Sequence, residues 1–143
     1  MKGLGVTAGD GVFILGFPMD LAGKERNYVI VRQGSIARVD EMLDRASLTF
    51  MLDAFVFPGN SGAPVVLKPE VVSIVGTMPQ SNAYLVGMVI ESRFYVDTAY
   101  SLQTSHARIT FEENAGLAEA LPMDYVDEAV KTWSEVHPQV SPQ

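Results

Sequence analysis

The chain contains no cysteine, two histidines, one tryptophan and only ten Lys or Arg among 143 residues. Without cysteine there is no disulfide framework, no thiolate metal site and no cysteine nucleophile; the absence fits either redox compartment and leaves location open. No apolar run approaches the roughly 18 residues needed to cross a bilayer, and Met1 to Asp10 lacks the basic-then-apolar order of a signal peptide. A soluble chain with no membrane partner is expected. Residues 1–68 carry seven Lys/Arg and seven Asp/Glu, whereas residues 69–143 carry three against ten, so the net charge of -7 resides in the second half. With a pI near 4.7 and no basic cluster, nucleic acid is not an expected partner, because backbone binding needs a positive patch to release counterions.

Core-forming side chains are plentiful: 48% of residues are hydrophobic and 19% charged. A chain of this length buries roughly 68–70% of its unfolded surface as a single domain. Short runs rich in Val, Ile, Phe and Tyr are repeatedly broken by Gly, Pro, Asn and Asp, which favours strands. Six are predicted, over Gly11 to Phe17, Tyr28 to Val39, Ser47 to Val56, Ala63 to Leu67, Tyr84 to Ser92 and Ala115 to Leu121. The spacing predicts an all-β fold, a six-stranded antiparallel barrel. Gly34 lies where a long strand would coil at a barrel corner and a side chain would crowd the bend. Lys68 to Ala83 is long for a hairpin connection and reads as an insertion, with Val71 to Val75 as a possible extra strand.

One helix is marked near the C-terminus. Pro122 supplies a fixed first-turn dihedral, and Asp124, Asp127 and Glu128 sit near the positive pole. Met123, Val126, Val130 and Trp133 fall at helical spacing, predicting an apolar stripe packed on the barrel. The domain is therefore expected over residues 1–133, with Ser134 to Gln143 as a tail or linker stub.

The segment that carries chemistry is Phe57-Pro58-Gly59-Asn60-Ser61-Gly62-Ala63-Pro64, between two predicted strands. A serine is inert unless its hydroxyl is exposed, a base takes its proton and donors await the oxyanion, and a glycine-flanked tight loop is a suitable mount. On these residues alone, a Pro-Gly turn whose serine merely faces water is the simpler reading.

The wider pattern is more specific. Gly9 to Pro18, Val31 to Arg38, and Asp53 followed by Pro58 to Pro64 resemble, in order and spacing, the second half of bacterial trypsin-like serine proteases. Gly87 to Ser92 is similar to that family's following strand, and Gly116 to Asp124 to its last strand and closing helix, so the resemblance runs from about Gly9 to Lys131. It implies the C-terminal barrel of a chymotrypsin-fold peptidase, with Ser61 as nucleophile and the backbone N–H groups of Gly59 and Ser61 as the oxyanion hole. It puts Phe55 at the base of the specificity pocket, where an apolar residue selects small or apolar substrate side chains. It makes Ile90, Glu91 and Ser92 the strand edge that pairs with a peptide or protein substrate. Asn60 stands where many animal trypsins have the aspartate that pairs with a freshly cut N-terminus, so that switch is not expected.

The departure from the family matters equally. Its catalytic histidine and aspartate lie on a first barrel, upstream of the serine, and no histidine precedes Ser61 here. The chain therefore reads as half of a double barrel, excised or natural, whose N-terminal barrel is missing, and it is expected to be inactive alone. The other reading is a non-catalytic module that binds peptides or assembles, and an apolar face left bare by the missing barrel makes a homo-oligomer possible. A nucleophile, acid, histidine order using Ser61, Asp97 or Glu112, and His106 or His137 fails because a strand, not a helix, is predicted after the serine. His106 and His137, 31 positions apart, form no ligand pattern, and the acidic helix start is no calcium loop. No metal or other cofactor is expected.

Overall fold

The computed structural model describes residues 1–21, 23–70, 79 and 81–137. Its strands are β1 (Gly11–Gly16), β2 (Ile30–Arg38), β3 (Phe50–Asp53), β4 (Pro64–Leu67), β5 (Tyr84–Tyr100) and β6 (Ala107–Pro122), with a short helix α1 (Asp40–Leu43) and a longer α2 (Met123–Val136). The strands close into an all-antiparallel barrel in the order β1-β2-β3-β6-β5-β4. Closure comes from β1 against β4, with Val12 opposite Leu67 and Ile14 opposite Val65.

Strand alternation explains the core. Val12, Ile14, Leu52, Val65 and Leu67 point inward and are fully buried, while their neighbours face out. Large residues are matched to small ones across the sheet: Phe50 pairs with Ala120 and Leu52 with Ala118, so two alanines make room for the bulkier side chains inside a narrow barrel. Met1, Val6, Val39 and Met42 extend the same core beyond the strands. Gly34 is crowded as anticipated, since a Cβ there would stand 2.7 Å from the Asp53 carbonyl; the register shift itself falls between Ile36 and Arg38.

Two expectations need correction. Strands predicted to stop at Ser92 and to start at Ala115 instead continue as one ribbon. β4 pairs with β5 only up to Met88, and β3 with β6 only from Leu117, whereas β5 and β6 stay paired out to Tyr100 and Ala107. Residues 93–114 thus form an arm projecting past the barrel, turned at Ser101–His106, where the Ser101 amide donates to the His106 carbonyl. The second correction concerns α2. It continues through Ser134 to Val136 and buries none of its side chains; Val130 and Trp133 are 58% and 48% exposed. The apolar stripe exists, but the barrel reaches only the helix's first turns. The strand considered for Val71 to Val75 lies outside the described residues.

Candidate functional site

The serine turn joins β3 to β4 and is fastened on three sides. Toward β6, the Ala54 amide donates to the Gly116 carbonyl at 2.8 Å, and the Asn114 side-chain amide donates to the Val56 carbonyl. Toward the β1–β2 connection, the Met19 amide donates to the Pro58 carbonyl at 2.7 Å. Toward β5, the Gly62 amide donates to the Val89 carbonyl at 2.8 Å and the Val89 amide to the Ala63 carbonyl at 2.9 Å.

The turn also holds itself. The Asn60 amide donates to the Phe57 carbonyl (3.0 Å), the Ala63 amide to the Asn60 carbonyl (2.9 Å) and the Phe57 amide to Asn60 Oδ1 (3.3 Å). Asn60 is 1% exposed, and its Nδ2 has no partner among the described residues. Gly59 and Gly62 adopt φ values of 93° and 82°, which a side chain would resist.

The main-chain donors of the turn fall into two sets. Phe57, Asn60, Gly62 and Ala63 are engaged and Pro58 has no N–H. The amides of Gly59 and Ser61 are left with no acceptor among the described residues. The Ser61 side chain is exposed and has no hydrogen-bond partner among the described residues, and a strand, not a helix, follows. Such a turn can present a hydroxyl and two amide donors to an incoming ligand.

Ser61 faces a cleft of about 350 Å³. Phe57, Pro58 and Ser61 form one wall, Ile90, Glu91, Ser92 and Phe94 of β5 the other, and Val56 and Val89 the apolar floor. The structure therefore brings Ser61 together with Ile90, Glu91 and Ser92. Gly59 does not line this cleft itself, although its neighbours do. Phe55 does not line it either: it is 55% exposed and packs against Gly116. Ala54 and Val56 on either side of it are both buried, and Val56 lines the cleft. Val56, Val89 and Phe94 are cleft residues to which the sequence pattern gives no role. Phe94 escapes because the predicted strand ends at Ser92.

Glu91 is the charged side chain on the cleft wall. Its carboxylate lies 3.7 Å from Arg93, whose guanidinium also hydrogen-bonds Glu119. That bond from Arg93, with another from the Thr49 hydroxyl at 3.1 Å, holds the Glu119 carboxyl below the ordinary glutamate range, and Glu119 in turn raises Arg93.

No protein-family model, curated protein or solved structure matches this chain. What the site can do therefore rests on its own geometry. His106 lies in the turn of the arm, and His137 ends α2 stacked on Trp133 with ring centroids 4.9 Å apart. Neither lines the cleft. Asp97 and Glu112 are on the arm, opposite Phe111 and Val96, also away from Ser61. No group of three or more metal-ligating side chains occurs among the described residues, and none of their helices is long and apolar enough to cross a membrane.

Proposed function

We propose that this chain is the second barrel of a trypsin-like serine endopeptidase, carrying the nucleophile turn and oxyanion donors but not the proton acceptor. The observation that carries the reading is the exposed Ser61 in a turn whose Gly59 and Ser61 amides have no acceptor among the described residues. The collinear sequence resemblance and the closed six-stranded barrel support it. In acyl transfer the serine oxygen bonds to the substrate carbonyl carbon, the carbonyl oxygen becomes an oxyanion received by the Gly59 and Ser61 amides, and the hydroxyl proton passes to a base. Neither histidine lines the cleft, and Glu91, the carboxylate that does, makes no hydrogen bond to Ser61. A first barrel bearing histidine and aspartate would supply the base, seating on the exposed apolar side chains of Phe17, Met19 and Leu21 beside the turn. The free β5 edge at Ile90 to Ser92 would pair with the substrate backbone, and the floor of Val56 and Val89 favours apolar side chains at the cleavage site.

A second reading, a non-catalytic peptide-binding barrel, draws on the same free edge and on the missing base. A fluorophosphonate probe separates the two. The chain alone gives negligible labelling under either. Extended upstream by a strand-rich segment with histidine and then aspartate, it becomes labelled at Ser61 under the protease reading and stays unlabelled under the binding reading.

A further inference from the structure

The arm formed by residues 93–100 and 107–114 is a two-stranded ribbon exposed on both faces. Phe94, Tyr95, Val96, Tyr100, Ile109 and Phe111 are each 47–64% exposed. An isolated hairpin of this kind is marginal in water, and an open apolar edge is a template for pairing with another chain. Among the described residues, the β6 edge is open over a defined stretch. Toward the barrel it is closed at Asn114, whose side chain bonds the Val56 carbonyl, and toward the tip it ends where the turn begins. What remains is Ala107-Arg108-Ile109-Thr110-Phe111-Glu112-Glu113.

This stretch is complementary to itself. Two copies lying antiparallel about a two-fold axis must pair each residue with one equidistant from a central residue, with facing side chains on one side of the sheet. With Thr110 at the centre, the open edge from Arg108 to Glu112 is used. Ile109 of each copy then meets Phe111 of the other, Arg108 meets Glu112, and Thr110 meets Thr110. These are an aromatic–β-branched pair, a pair of opposite charges and a threonine pair, each favourable across strands. Moving the centre to Ile109 or Phe111 leaves Glu112 without Arg108 opposite it. Neither Arg108 nor Glu112 has an ion-pair partner among the described residues. Arg108 is the extra residue of a bulge, since Ala99 pairs with Ile109 and Tyr100 with Ala107, so the ladder between copies is centred on Ile109 to Phe111 with the charges flanking it.

We infer that the arm is a homodimerisation element: two copies of this chain pair β6 to β6 about Thr110, forming a four-stranded sheet with the barrels at opposite ends. Thr98 already lies beside Thr110, their hydroxyl oxygens 3.4 Å apart, so one face of that sheet carries a row of four threonines. The other carries a cluster of two Ile109 and two Phe111 side chains. The arrangement leaves the β5 edge beside Ser61 free, and it is independent of whether that serine is catalytic.

Light scattering after gel filtration at tens of micromolar tests this, with a mass of twice 15.5 kDa expected. Glu112→Arg or Arg108→Glu alone places like charges together and weakens the dimer about tenfold or more, and the double exchange restores it. Thermal unfolding by circular dichroism checks that each variant keeps its barrel. Because the chain has no cysteine, Thr110→Cys creates a single thiol facing its copy at disulfide distance. It crosslinks under mild oxidation, whereas Thr98→Cys, one strand further from the axis on each side, does not. A monomeric wild type, a dimer indifferent to the single charge changes, a double exchange that fails to rescue, or equal crosslinking at both positions would overturn the inference.

Discussion

Gly59 lies directly beneath the Phe17 carbonyl: a Cβ built on it would stand 2.5 Å from that oxygen. With its φ of 93°, the position is closed to other residues on two independent grounds, backbone conformation and space. Gly59→Ala is expected to cost about 1–3 kcal/mol, read as a lower urea midpoint with an unchanged slope. A neutral substitution would mean that the turn is looser than described.

Ser61, two residues on, should behave in the opposite way. Its side chain is exposed and has no hydrogen-bond partner among the described residues, so Ser61→Ala should leave stability within about 0.5 kcal/mol of the parent. A loss above about 2 kcal/mol would assign the hydroxyl a structural role instead.

Asn114 ties the root of the arm to the serine turn, donating to the Val56 carbonyl and accepting from the Gly116 amide at 2.9 Å. Asn114→Ala removes both bonds. A loss of about 1–3 kcal/mol is expected, together with faster hydrogen exchange at the Gly116 amide and unchanged exchange in β1.

The Arg93–Glu119 pair predicts an acid response. Because the Glu119 carboxyl is held below its unfolded value, its contribution is present above the ordinary glutamate range and is lost as pH falls through the depressed folded value. Glu119→Gln removes that contribution, so its melting temperature should fall less steeply than that of the parent as the solution is acidified from neutral pH through the glutamate range. Parallel curves would show that Arg93 leaves the carboxyl unperturbed.

Much of the barrel is legible in the amino-acid pattern. Val12 and Ile14, Phe50 and Leu52, Val65 and Leu67 alternate with outward residues, and one-sided burial leaves that signature. The arm leaves none: Tyr95 to Ala99 and Ile109 to Glu113 mix apolar and acidic residues on both faces, so alternation has no inside to report. The stripe of α2 is real as a pattern, yet spacing alone says nothing about how far the barrel extends beneath Val130 and Trp133. Phe55 is carried over by position, and its place in the structure depends on a contact with Gly116 that is distant in sequence. It lies past the end of β3 at Asp53, half-exposed beside Gly116, while the buried Val56 next to it lines the cleft. At the serine turn, the residue types are legible, but which amides stay unengaged depends on bonds from Met19, Val89 and Gly116, all distant in sequence.

The most direct measurement is amide NMR of the chain titrated with a short peptide ending in an apolar residue, once with a free carboxylate and once amidated. Both peptides should shift Ile90 to Ser92, as strand addition requires. Only the carboxylate should move the Gly59 and Ser61 amides downfield, while Gly62 and Ala63, already engaged, stay in place. If β5 responds to saturation and the Gly59 and Ser61 amides do not distinguish the two peptides, the turn is not an oxyanion receptor and the proposed function is wrong.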